Sequence, residues 1–193
     1  MTTHFINLAS WRYFEEEQRE QQKYLDSVSI VVLARLFGYR IERVSGVKYY
    51  RENSARLQKS LFLLAKEDES FKHSYILPFW ESVEEVSLSP DLKRALISHQ
   101  SCVIGIGSPK QDFLARLIKR EFPNIKIFCL GAAICVKEKE NIFIKKDIGV
   151  WLYFLLTEPK RTMGKLRITI LEISKIIFFK YDRLAFDSFL KRF

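Results

Sequence analysis

Short runs of β-branched and aromatic residues alternate along this chain with stretches whose apolar positions recur every three or four residues. Such alternation predicts strands of a parallel sheet joined by helices. The strand candidates are residues 4–8, 27–33, 39–44, 61–64, 75–80, 102–106 and 125–130. Pro78 interrupts the fifth of these, which suits a sheet edge or a strand end. The helix candidates are residues 11–24, with Trp11, Phe14, Gln18 and Gln21 or Gln22 on one side, residues 49–59, a helix running from a Ser89 cap to about His99, and one opening at Ser108 and ending near Phe122. The predicted fold class is α/β, a Rossmann-like parallel sheet with helices on both faces. Ligands of such sheets bind beyond the carboxyl ends of the strands. Asn7, Gly107 and Gly131 fall at such ends, and the small residues Gly131, Ala132 and Ala133 leave space there.

Residues 103–112 read Val-Ile-Gly-Ile-Gly-Ser-Pro-Lys-Gln-Asp. A buried strand leads into a glycine turn and then a helix start. Gly105 and Gly107 remove side chains where the backbone turns tightly or approaches a ligand. Ser108 fits the N-cap, Pro109 the first helical position, and Gln111 closes a capping box with Ser108. Backbone N–H groups and the helix dipole beside Lys110 suit a diphosphate. The same pattern also describes an ordinary capped helix with no ligand.

Beyond residue 158 the pattern changes. Leu166, Ile170, Ile173, Ile177, Tyr181 and Leu184 form a three/four stripe, predicting one amphipathic helix. Residues 160–193 carry nine Lys/Arg and three acids, +6 of the chain's +9. Bulky Phe178, Phe179, Phe186, Phe189 and Phe193 accompany them. A basic helix of this kind suits an anionic membrane surface, with Lys165, Arg167, Lys175 and Arg183 as contacts. Packing on its own domain or on a second subunit of a homo-oligomer is the alternative. The expected organisation is an α/β domain over residues 1–160 and a helical appendage over 161–193.

The 193 residues, 48% of them hydrophobic, suffice for one sizeable core. The positive balance favours phosphate-bearing partners. Nucleic acid is disfavoured, because the tail's aromatic residues form an apolar stripe and do not interleave with its cations. Cys102, Cys129 and Cys135 lack C-x-x-C spacing and read as core residues in a reducing compartment, and His4, His73 and His99 lack metal-ligand spacing. No metal or other cofactor is expected. With no signal peptide and no apolar run of membrane-spanning length visible, the expected location is cytoplasmic.

The run from Gly105 to Asp112 resembles the Gly-x-Pro-Lys-Gln-Glu signature of the WecG/TagA/CpsF glycosyltransferases. Residues 151–161, Trp-Leu-Tyr-Phe-Leu-Leu-Thr-Glu-Pro-Lys-Arg, resemble that family's Glu-Trp-Leu-Tyr-Arg-Leu-x-x-Glu-Pro-x-Arg, and Arg43-Val-Ser-Gly46 its Arg-Val-x-Gly. Asn7 matches the asparagine ending the family's first strand. The resemblance implies inverting, metal-independent transfer of an N-acetylmannosamine-type sugar from a UDP donor to a polyprenyl-diphosphate-linked acceptor, at the inner face of the cell membrane. It also implies catalytic roles for Gln111, Asp112 and Arg161. Nucleotide-sugar contacts are implied for Asn7, Arg43, Gly46, Gly105, Gly107, Ser108, Pro109, Lys110, Gly131 and Glu158. Without a metal, N–H groups and cations must stabilise the leaving diphosphate.

The chain departs from the family pattern at named places. Asp112 stands for Glu, Val150 for Glu and Phe154 for Arg, and an Arg-Ala-Pro is absent around residues 143–147. The Asp-Gly expected after the strand at 27–33, whose Asp is the family's general base, has no counterpart at residues 31–35. Asp26, Asp147 or another subunit then remain as sources of a base. A catalytically impaired relative that binds a nucleotide sugar or a partner enzyme is the second reading.

Overall fold

The computed structural model describes residues 1–7, 10–14, 21–136, 156 and 159–193. Strands β1 (Thr2–Ile6), β2 (Gln21–Leu25), β3 (Leu61–Leu64), β4 (Ser74–Ile76), β5 (Ser101–Ile104) and β6 (Lys126–Cys129) form one sheet in the order β2-β1-β6-β5-β3-β4. Every neighbouring pair is parallel, with His4 beside Cys129 and Ile104 beside the same residue on the other side. The helices are α1 (Val28–Leu36), α2 (Gly46–Glu52), α3 (Ser54–Leu57), α4 (Pro90–Ile97), α5 (Lys110–Glu121), α6 (Pro159–Phe178) and α7 (Lys180–Leu190), with 3-10 turns at Trp11–Phe14 and Gly131–Val136. The expected α/β class with a parallel sheet is therefore present.

Alternation along the strands sends successive side chains to opposite faces. Leu63, Ile104 and Ile127 meet Leu92 and Leu96 of α4 and Leu114 and Ile118 of α5. On the other face, Phe5, Phe62, Val103 and Phe128 pack with Tyr50 of α2, Leu57 of α3 and Ile134. Ser89 caps α4 as expected, accepting a hydrogen bond from Leu92 N at 3.2 Å.

Several expectations need correction, among them the helix at 49–59, which is α2 and α3 separated at Asn53. Residues 27–33 are not a strand but the start of α1, capped by Ser27, which accepts from Ile30 N. Helical spacing buries Ile30, Val31, Leu33 and Ala34 and leaves Val28, Val32 and Leu36 exposed. Within the expected helix at 11–24, a 3-10 turn occupies Trp11–Phe14, and Gln21–Leu25 is the strand β2. That strand is polar because it lies at the sheet edge. Residues 39–44 contribute only an isolated bridge between Leu25 and Arg43.

The C-terminal segment forms two helices, not one. Phe179 adopts extended backbone (φ −108°, ψ 121°) and lets α7 fold back on α6. Ile176, Phe186, Phe189 and Leu190 pack with Trp11, Phe14, Ile6, Leu25 and α1. Glu172, buried on α6, accepts from Trp11 Nε1 at 3.2 Å, Arg12 Nε at 2.8 Å and Lys175 Nζ at 2.9 Å. Burial pushes the Glu172 carboxyl up, but the hydrogen bonds from Lys175 and Arg12 outweigh it and hold the group below the usual carboxylate range. Arg12 also binds Asp182 of α7, and Tyr39 donates to Asp187 at 2.8 Å. The hairpin thus shares a core with the first strands. No helix among the described residues is long and apolar enough to cross a membrane.

Candidate functional site

The carboxyl edge of the sheet carries two groups of polar residues that differ in exposure. At the ends of β1 and β2, the backbone N–H of Asp26 donates to Ile6 O at 2.9 Å, which sets Asp26 beside Asn7. Asn7 is itself in a tight turn, its carbonyl accepting from Ser10 N at 3.0 Å. Asp26 Oδ1 accepts from Gly46 N at 3.2 Å, and Arg43 Nη2 lies 3.9 Å from the same oxygen. Arg43 Nε also donates to the Asp26 carbonyl. The Asp26 side chain keeps 34% of its surface exposed. Gly46 is needed for close packing: a Cβ there would lie 3.3 Å from Ala133 Cβ and 3.6 Å from the Phe5 ring.

At the ends of β5 and β6 the polar groups turn inward. Helix α5 starts at Lys110, one residue later than expected, and Pro109 occupies the cap position without a side-chain cap bond. The Ser108–Pro109 bond is cis. The expected capping box is replaced by side-chain pairing. Ser108 Oγ donates to Asp112 Oδ2 at 2.5 Å and accepts from Gln111 Nε2 at 2.9 Å. The cause is the burial of Asp112, whose carboxylate takes up the hydroxyl that a backbone N–H would otherwise use. His4 Nδ1 lies 2.9 Å from Asp112 Oδ1, with both side chains buried. Gln111 is only 5% exposed.

The glycines of this half are filled by the protein. A Cβ at Gly105 would stand 2.3 Å from Ile134 Cδ1 and 3.0 Å from Leu64 Cδ2, so this glycine makes room for Ile134. Gly131 has φ +55°, and a Cβ there would lie 3.3 Å from Gln111 Oε1 and 3.2 Å from Ile106 O. Lys110 Nζ donates to the Trp80 carbonyl and sits 5.4 Å from the centre of the Phe79 ring. Gly107 carries the carbonyl that accepts from Gln111 N at 3.3 Å.

His4, Asp112 and Cys129 each bring one donor atom within 4.8 Å of the others. Burial and then the charge of Asp112 push the Cys129 thiol well up, burial pushes Cys102 up to about 12, and His4 Nδ1 is paired with Asp112 Oδ1.

Asn7, Gly105 and Gly131 thus follow the ends of β1, β5 and β6, Arg43 and Gly46 are held against Asp26 after β2, and Lys110–Asp112 open α5. Glu158 and the side chains of Arg161 and Lys165 lie outside the described residues, as do residues 143–147 and 151–155 of the second resembling block. Lys175 is engaged by Glu172, while Arg167 and Arg183 are exposed. Asp26, one of the candidate sources of a base in the sequence, follows the end of β2, a strand that the sequence pattern does not show. The one site residue that the sequence does not single out is His4, whose partner Asp112 is 108 residues away. Its place in a strand between buried Thr2 and Ile6 was the available signal. Comparison with protein-family models, curated proteins and solved structures finds no match to this chain.

Proposed function

We propose that the protein transfers an N-acetylmannosamine-type sugar from a UDP donor to a polyprenyl-diphosphate-linked acceptor, with Asp26 as the general base. The observation that carries this reading is the corrected end of β2. The strand finishes at Leu25, so Asp26-Ser27 now occupies the place where the resemblance calls for Asp-Gly. The carboxylate is part-exposed, held by Gly46 N and Arg43, and next to Asn7 at the neighbouring strand end. A positioned base of this type accelerates attack by an acceptor hydroxyl by roughly 10²–10⁴. Arg43 and the backbone of residues 106–108 are the groups proposed to receive the diphosphate.

The helical hairpin is proposed to rest on the inner face of the cell membrane. Its three acids are turned inward or paired: Glu172 with Arg12 and Lys175, Asp182 with Arg12, Asp187 with Tyr39 and Lys191. Arg167, Lys180 and Arg183 remain exposed, among exposed Ile170, Leu171, Ile177, Phe178, Tyr181 and Leu184. Apolar residues ringed by unneutralised cations favour anionic lipid.

A second reading, a relative that binds a nucleotide sugar without turning it over, has its own support. Ile134 fills the space at Gly105, Lys110 is engaged by Trp80, and Asp112 is buried. Incubation with the UDP-sugar and a short polyprenyl-diphosphate acceptor separates the two. Release of UDP by the native chain and its loss in Asp26→Asn supports transfer. Thermal stabilisation by UDP with no turnover supports binding alone, and no effect of UDP at millimolar concentration contradicts both.

A further inference from the structure

The buried polar residues at the ends of β1, β5 and β6 form a chain whose hydrogen-bond directions are fixed by one another. Ser108 Oγ donates to Asp112 Oδ2 at 2.5 Å. With the Asp112 carboxylate as the acceptor, His4 Nδ1, at 2.9 Å from Oδ1, is the donor to its other oxygen. Ser108 has one proton and gives it to Asp112, so toward Gln111 it only accepts. That turns Gln111 Nε2 to Ser108, at 2.9 Å, and swings Gln111 Oε1 under Gly131. The two ends of the chain, His4 Nε2 and Gln111 Oε1, are buried and have no hydrogen-bond partner among the described residues. An orphaned buried acceptor is costly and marks a place where a donor is wanted.

We infer that His4 is a positioning residue: acting through Asp112 and Ser108, it fixes the Gln111 amide so that its carbonyl points to the strand-end turn at Gly131. The inference rests on reading this sheet edge as the nucleotide-sugar site. A carbonyl attracts O–H and N–H groups and repels phosphate oxygens. Gln111 therefore selects the hydroxyl- or amide-bearing sugar of the donor, and the diphosphate is left to the other groups of the edge. Asp112 touches no ligand on this view.

The test compares the full chain with His4→Phe, which keeps a ring against Phe14 but has no N–H, and His4→Asn, whose amide can still donate. One readout is the side-chain amide resonance of Gln111, assigned with Gln111→Ala. The other is the ratio of affinities for UDP-N-acetylmannosamine and UDP. The Gln111 resonance should move in His4→Phe and return toward its native position in His4→Asn. The preference for the sugar-bearing ligand should fall by about tenfold in His4→Phe, the scale of one net hydrogen bond, while UDP alone changes less than about twofold. If His4→Phe does not fold, Asp112→Asn, which no longer obliges Ser108 to donate, should move the same resonance. A Gln111 amide unmoved by the variant that folds overturns the inference. If the native chain binds neither ligand, the transferase reading falls and the resonance alone decides the positioning role.

Discussion

The two halves of the sheet's carboxyl edge use similar residue types for different ends. Around β1 and β2, the Asp26 carboxylate accepts from Gly46 N, has Arg43 Nη2 3.9 Å away, and keeps about a third of its surface exposed. Around β5 and β6, Asp112 has a histidine on one oxygen and a hydroxyl on the other, and is buried. A part-exposed carboxylate can meet a substrate hydroxyl. A buried, doubly held one can only set the shape of its surroundings. The same division separates the glycines: Gly105 gives its space to Ile134, whereas Gly131 supplies a left-handed turn at the edge. Within a recognisable motif, then, burial decides which residues meet a ligand and which hold the turn.

Substitution at the two acids tests this contrast with the largest expected effects. Asp26→Asn should reduce UDP release by roughly 10²–10⁴ with little change in thermal midpoint. Asp112→Ala should act chiefly on stability. Leaving His4 and Ser108 without their partner should cost about 3 kcal/mol, lowering the midpoint by roughly 6–12 °C in calorimetry. A stable Asp112→Ala protein would erase the distinction.

The glycines sharpen it further. Gly105→Ala forces Ile134 and Leu64 apart and should cost about 1–3 kcal/mol in denaturant unfolding. Gly131→Ala should cost roughly 1–2 kcal/mol for a left-handed backbone and should also displace Gln111, visible in its amide resonance.

Much of this edge was legible in the sequence. The apolar runs of β3, β5 and β6 and the Ser89 cap follow from local pattern, because each signal is contained in a few residues, whereas α5, expected to be capped by Ser108, begins at Lys110 with no side-chain cap because Ser108 turns to Asp112. Strand β2 was not legible, since an edge strand of Gln-Gln-Lys-Tyr-Leu has no buried run to announce it. Nor was α1, whose Val28, Ile30, Val31 and Val32 carry strand propensity that burial against β1 and the hairpin overrides. The break at Phe179 has neither glycine nor proline to mark it. The His4–Asp112 pair joins positions that only the sheet order brings together.

The hairpin extends the comparison to acid. Because Glu172 is held below its ordinary carboxylate range in the folded chain, its contribution to stability is present above the unfolded value near 4.5 and is lost as pH falls through the lower folded value. Acid titration should therefore shift the Trp11 indole N–H resonance, which reports the bond to Glu172, and Glu172→Gln should flatten that limb. The smallest effect on stability is expected at the hairpin's outer surface. Phe178→Ser with Tyr181→Ser should change unfolding by less than about 0.5 kcal/mol per site, yet weaken sedimentation with anionic vesicles. Truncation is a poorer probe, since removing residues after 164 also strips Ile176, Phe186 and Phe189 from Trp11 and Phe14.

The most direct test of the proposed site is a titration with UDP followed through backbone amide resonances. Shifts concentrated at Asp26, Arg43–Gly46, residues 106–108 and Gly131, along one sheet edge, are the expected result. Saturating shifts elsewhere, or none at millimolar UDP, would contradict it.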